Sequence, residues 1–158
     1  MSVVLIRVDD RLIHGQVVVG WGRQTHMQRI VLVDDELHGS EWEQELYRTG
    51  VPDGIAVEFP SVDEAVAAFD GWRTDAPRTI VLLPDVNTVA RLGAAVPLGA
   101  VNLGGIHDAR DRQEWLPYVY LSPSELVLLR TLSDAGVAIT AQDVPTARPV
   151  PLGELVGR

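Results

Sequence analysis

The chain contains no cysteine, and its 13 basic residues are all arginine, with no lysine among them. Without thiols there is no disulfide, no Cys-based zinc site and no thiol chemistry. Without lysine there is no Schiff-base catalysis and no lysine-cradled nucleotide. Long apolar runs are missing too: none approaches the roughly 18 to 20 residues that span a bilayer, and the N-terminus lacks a signal peptide's basic start, apolar stretch and small-residue cleavage site. The expectation is a cytoplasmic protein. Positive charge is scarce, and a net charge of −9 with a pI near 4.7 argues against the counterion-releasing mode of nucleic-acid binding. Neither GxGxxG, nor a Walker loop, nor GxSxG occurs. The histidines at 14, 26, 38 and 107 form no HxH or HxxxH pair, so no metal site is expected.

What is present is a chain of 158 residues, 46% hydrophobic, with mean hydropathy +0.10, enough for one domain over 1–158. Short β-branched runs alternate with helix-length segments. Strands are expected at 2–8, 29–34, 55–59, 79–83, 100–103, 118–121 and 137–142, and helices at 15–23, 40–49, from 61 onward, 86–92 and 122–135. Ser61 with Glu64 and Ser122 with Glu125 read as capping boxes, Pro123 sits where a first helical turn tolerates it, and Gly136 stands at a C′ position. Apolar strands separated by helices predict a single doubly wound α/β domain, with a mostly parallel sheet of about seven strands and helices on both faces. Residues 145–158, bearing Pro145, Pro149 and Pro151, are expected to form a C-terminal surface segment. Trp21, Trp42, Trp72 and Trp115 read as helix-packing residues, with Trp21 one or two helical turns from His14. Segments 34–36 and 106–114 are unusually acidic or charged.

The densest chemistry lies in Arg7-Val8-Asp9-Asp10-Arg11-Leu12-Ile13-His14-Gly15-Gln16-Val17, directly behind the first strand, where open α/β sheets bind ligands. Residues 1–23 hold three arginines against two aspartates, a balance of +1 that leaves −10 for the rest of the chain. A neutral imidazole, with an unperturbed pKa of about 6.5, is a good nucleophile near neutrality. Arg11 can grip phosphoryl oxygens, Gly15 lets backbone N–H groups approach, and Gln16 and Val17 stand at a helix start that favours an anion. Asp9 and Asp10 suit holding Arg11 or accepting the ring N–H that sets the tautomer of His14; the residues alone do not divide those roles.

The string RVDDRLIHGQV, followed by Trp21, resembles the signature of the IIB subunits of the mannose/fructose/sorbose family of the bacterial sugar phosphotransferase system. Residues 30–35, Val101-Asn102-Leu103-Gly104-Gly105, Gly136-Val137 and Gln142-Asp143-Val144-Pro145 extend the resemblance over nearly the whole chain. It implies that His14 is the phosphorylated nucleophile, at Nδ1, and makes Asp9 the better candidate for orienting it. It further implies no cofactor, a IIA domain as phosphoryl donor, membrane IIC and IID subunits holding the acceptor sugar, transient docking around the motif, and peripheral association with the membrane. A homo-oligomer is compatible with it. The alternatives are a stand-alone phosphorylatable regulatory or interaction protein without sugar transport, and an anion-binding module without turnover.

Overall fold

The computed structural model describes residues 2–157. Among them, seven strands form one sheet in the order β3-β2-β4-β1-β5-β8-β9. These are β1 (Val3–Asp9), β2 (Arg29–Leu32), β3 (Ala56–Glu58), β4 (Thr79–Leu83), β5 (Ala100–Gly105), β8 (Ala138–Ala141) and β9 (Val150–Pro151). All neighbours pair in parallel except β8 and β9. Central strands read as unbroken apolar runs because both faces are covered; every residue of β4, Thr-Ile-Val-Leu-Leu, is buried.

Two apolar layers flank the sheet. One is built from α4 (Val62–Thr74), α5 (Val86–Gly93), α6 (Pro123–Asp134) and α7 (Leu152–Val156), packed through Phe69, Trp72, Leu92, Leu129 and Leu155. The other holds Leu12, Ile13, Val17, Trp21 and Leu37, and is covered by a π-helical run (Gln16–Trp21) continuing as α1 (Gly22–Thr25), by α2 (Asp35–His38) and by α3 (Glu41–Arg48). Chain leaving β1 enters this second layer, whereas chain leaving β5 returns through the first. The β1/β5 boundary is therefore the switch point of the doubly wound sheet, and a crevice opens at its carboxyl edge.

Both capping boxes form, each with the serine accepting from the glutamate N–H and the glutamate side chain reaching back. Gly136 follows α6 at φ +101°, a left-handed position that suits glycine. Two expectations are corrected. Residues 119–121 (β7) take no place in the seven-stranded order but pair antiparallel with β6 (Gln113–Leu116), a strand not expected, and join the main sheet only through a parallel bridge to Ile106. The seventh place in the sheet goes to β9, in the segment expected to lie on the surface; Val150, Leu152 and Leu155 are all buried, so 150–155 completes the first layer rather than decorating it. The helix at 15–23 opens with π-helical geometry, which local spacing does not reveal.

Candidate active site

Strand alternation puts Arg7 and Asp9 on the same face of β1, with Val8 turned to the opposite layer. Both charged groups are completely buried. Asp10 N–H donates to the Gly105 carbonyl at 2.9 Å, and Leu12 N–H to the Asp9 carbonyl at 3.0 Å, closing a turn behind the strand. Leu12 adopts φ +60°, uncommon for a residue with a Cβ, and its buried side chain, with that of Ile13, anchors the turn in the second layer. His14 emerges from this anchored loop with 18% of its side chain exposed.

Asp9 gathers the site. Its Oδ2 accepts from His14 Nε2 at 3.0 Å and from Arg11 at 3.0 Å, and its Oδ1 accepts from the Arg11 backbone N–H at 3.1 Å and from Arg11 Nε at 3.0 Å. Arg7 donates to Oδ2 through Nε at 3.3 Å and Nη2 at 3.2 Å. Burial, the strongest single influence, pushes the Asp9 carboxyl up, yet the hydrogen bonds from His14 and Arg11 and the charge of Arg7 outweigh it and hold the group well below the usual carboxylate range. An ionised carboxylate only accepts, so His14 Nε2 carries a hydrogen, and in the neutral ring the lone pair then lies on Nδ1. Among the described residues, Nδ1 has no hydrogen-bond partner.

Arg11, one-third exposed, spends its bidentate edge on Asp9, and its remaining amino group reaches Gln16 Oε1 at 3.3 Å. Its guanidinium pKa is raised, chiefly by the bond to Asp9. The first helical bond runs from Val18 N–H to the His14 carbonyl at 3.0 Å, so the N–H groups of Gly15, Gln16 and Val17 precede the ladder. Gly15 and Gln16 are exposed, and a Cβ on Gly15 would meet nothing within 4 Å. They line the end of an apolar groove of about 870 Å³ with Val19, Gly20, Val144 and Pro145. Asp10 turns elsewhere, accepting from the His107 backbone N–H at 2.8 Å and from its Nδ1 at 2.5 Å. Arg112 holds the same loop, donating to the His107 carbonyl at 2.9 Å and to both oxygens of Glu125 at 2.9 and 3.0 Å. Asp9 and Asp10 thus take different partners, one within the histidine cluster and one in the 106–112 loop.

The residues that sequence reasoning passed over lie beneath Asp9. Arg7 also donates to Asn102 Oδ1 and to the carbonyls of Gln142 and Asp143, both at 2.9 Å, and its guanidinium lies 5.2 Å from the centre of the Trp21 ring. Trp21 Nε1 donates to the Asp143 carbonyl at 3.1 Å. An arginine inside an otherwise apolar strand, two residues before Asp9, was the available signal. No group of three or more His, Asp or Glu side chains placed to hold a metal ion occurs among the described residues.

With this geometry in view, the family model described as "PTS system sorbose subfamily IIB component" matches residues 3–158. The chain belongs to this IIB family of the sugar phosphotransferase system. It is 31% identical over 142 residues to the sorbose-specific EIIB component of Klebsiella pneumoniae, covering 88% of this chain and 85% of that one. It is equally 31% identical over 160 residues to the N-acetylgalactosamine-specific IIB component 2 of Escherichia coli K12, covering 98% and 99%. The crystal structure of the IIBSor domain of the Klebsiella pneumoniae sorbose permease superposes with a TM-score of 0.90 at 26% identity, covering 99% of this chain and 97% of that one. The mostly parallel sheet with helices on both faces is therefore the IIB fold, and sugar phosphotransfer is the family's role. No helix among the described residues is long and apolar enough to cross a membrane.

Proposed function

We propose that this IIB chain relays a phosphoryl group: His14 Nδ1 accepts it from a phosphohistidine on a IIA partner and passes it to a sugar held by membrane IIC and IID subunits. The observation that carries the reading is the 3.0 Å pair between His14 Nε2 and Asp9 Oδ2, which leaves Nδ1 as the free nucleophilic nitrogen on a partly exposed ring. In the first step the Nδ1 lone pair forms the new N–P bond while the donor P–N bond breaks, its electron pair returning to the donor imidazole. The His14 ring gains positive character as Nδ1 bonds to phosphorus, and the buried Asp9 carboxylate balances it without reorganising. Arg11, held beside His14 through their shared partner Asp9, and the N–H groups ahead of the first helical bond supply positive charge for the phosphoryl oxygens, so catalysis on this reading is positioning and electrostatics. In the second step a sugar hydroxyl oxygen bonds to phosphorus as the P–Nδ1 bond breaks, the electron pair returning to the His14 ring and the hydroxyl proton passing to a base of the sugar-holding partner or to water. The chain works at the cytoplasmic face of the membrane, docked transiently on its partners.

The test is incubation with phosphorylated IIA followed by mass spectrometry. One acid-labile phosphoryl group on His14, absent in His14→Ala, is the expected result. Label retained in that variant, or found on His107, would overturn the assignment.

A further inference from the structure

Helix α3 (Glu41–Arg48) turns no residue fully inward. Its inner side meets the second layer through Tyr47, and Gln44 Nε2 donates to the carbonyls of Leu37 and His38 at 2.9 Å each. Its outer side carries Trp42, 71% exposed, and Leu46, 61% exposed. Four residues apart, they lie on one helical face. Trp42 was expected to pack a helix against the core; it does the opposite. Among the described residues only four large hydrophobic side chains are exposed, and two of them form this pair. Isolated exposed leucines are ordinary, but a tryptophan backed by a leucine is the kind of contact that dominates interfaces.

The surrounding charge is predominantly acidic. Glu45 is paired with Arg48, and Asp35 with Arg91, while Glu36, Glu41 and Glu43 have no ion-pair partner among the described residues. The patch also shares its placement with the active site. The His14 loop follows β1 and α2–α3 follow the parallel β2, so both leave the sheet at its carboxyl edge. Leu12, Ile13 and Val17 share one apolar cluster with Leu37 and Tyr47, which puts both on the same face.

We propose that the outer face of α3 docks the membrane partner of the relay by engaging basic cytoplasmic loops of that partner; the inference rests on the relay reading above. Cytoplasmic loops of membrane proteins carry an excess of Lys and Arg, which complements an acidic helix bearing an apolar stripe. The lipid surface at that leaflet is anionic and repels the same helix, so the occupant is protein rather than lipid. A second copy would set unpaired glutamates against unpaired glutamates. A single Trp–Leu stripe gives a small contact, in keeping with transient interfaces that bury less than about 1,200 Å².

The test measures sugar phosphorylation by inside-out vesicles carrying the cognate IIC and IID subunits, with the full-length chain phosphorylated by IIA. In Trp42→Ala/Leu46→Ser the KM for the phosphorylated chain rises about tenfold, kcat stays near wild type and labelling of His14 by IIA is unchanged. In Glu36→Gln/Glu41→Gln/Glu43→Gln the KM rises about threefold at low salt and its salt dependence flattens. Unchanged KM in both variants overturns the docking surface. So does wild-type binding to phosphatidylethanolamine/phosphatidylglycerol vesicles lacking IIC and IID that the Trp42/Leu46 variant loses, which would assign the stripe to lipid. A wild-type dimer that the same variant dissolves in sedimentation velocity would assign it to a second copy. If wild type is labelled on His14 yet transfers nothing to sugar, the relay reading falls first and this inference with it.

Discussion

Gly104 and Arg7 occupy a single space: a Cβ at residue 104 would stand 1.8 Å from the Arg7 guanidinium carbon. The arginine cannot swing aside cheaply, because its donors are committed to Asp9, Asn102 and the 142–143 carbonyls in a fully buried setting. Gly104→Ala therefore expels Arg7 and leaves Asp9 short of a cation. The expected cost is about 3 kcal/mol or more, as for other broken buried ion pairs, and transfer from IIA to His14 falls with it. Chemical denaturation together with a labelling time course checks both; a fully stable, fully active variant would contradict the packing argument.

Acid stability follows chiefly from the two buried carboxylates held below their ordinary values. At Asp9 the bonds from His14 and Arg11 and the charge of Arg7 overcome burial. At Glu125 burial likewise pushes up, and the bidentate Arg112 pair and the Ser122 N–H overcome it. A depressed folded pKa contributes stability that is fully present above the unfolded value, about 4, and is lost as pH falls through the folded value. Tm should be flat above about pH 5 and fall steadily below about pH 4. Asp9→Asn and Glu125→Gln should each start lower at neutral pH and show a shallower acid limb; thermal melts across pH read this directly.

How far the sequence reaches can be seen residue by residue. The capping boxes at Ser61 and Ser122 were legible because every bond in them spans three residues. β4 was legible because burial on both faces leaves a continuous apolar run. Arg7 was harder, since its partners Asn102 and Gln142 lie 95 and 135 residues away, though period-two alternation does place it beside Asp9. The division of labour between Asp9 and Asp10 depends on which loop each meets, and His107 arrives from 97 residues off. β9 is two residues long and exists only because β8 offers an edge and Leu152 and Leu155 hold the following turn in place. No local pattern announces such a strand.

The buried tail gives a direct stability prediction. Leu155 is wholly buried in the first layer, so Leu155→Ala should cost about 2 to 4 kcal/mol, in the range for leucine truncations in packed cores. Phosphorylation of His14 should persist below the lowered melting point. An effect under about 0.5 kcal/mol by denaturant titration would restore the surface reading of this segment.

Arg11→Lys keeps a positive charge but cannot make the paired contacts to both oxygens of Asp9. On the proposed reading the cation that would meet the phosphoryl group is then less well held, and the transfer rate should fall about tenfold to a hundredfold. Because the side chain is one-third exposed, the stability loss stays near 1 kcal/mol. Rapid-quench labelling by phosphorylated IIA separates the two effects. Wild-type rates in both Arg11→Lys and Arg11→Ala would place this arginine outside the reaction.

The last prediction separates the two aspartates. Asp10 accepts from the backbone and the ring of His107 and makes no hydrogen bond to His14, so it acts on the 106–112 loop and not on His14. Asp10→Ala should cost about 1 kcal/mol, the net worth of a hydrogen bond whose lost acceptor water can replace at the exposed His107 N–H. In a double-mutant cycle, Asp10→Ala and His107→Ala should show a coupling of about 0.5 to 1 kcal/mol, since the pair is largely exposed on the histidine side. Labelling of His14 by IIA should stay within about threefold of wild type in Asp10→Ala, whereas Asp9→Asn, which disturbs the ring partner itself, should lose about a hundredfold or more. Equal losses in the two variants would mean that the 106–112 loop is part of the phosphoryl-transfer machinery, and the assignment of Asp10 to loop anchoring would be wrong.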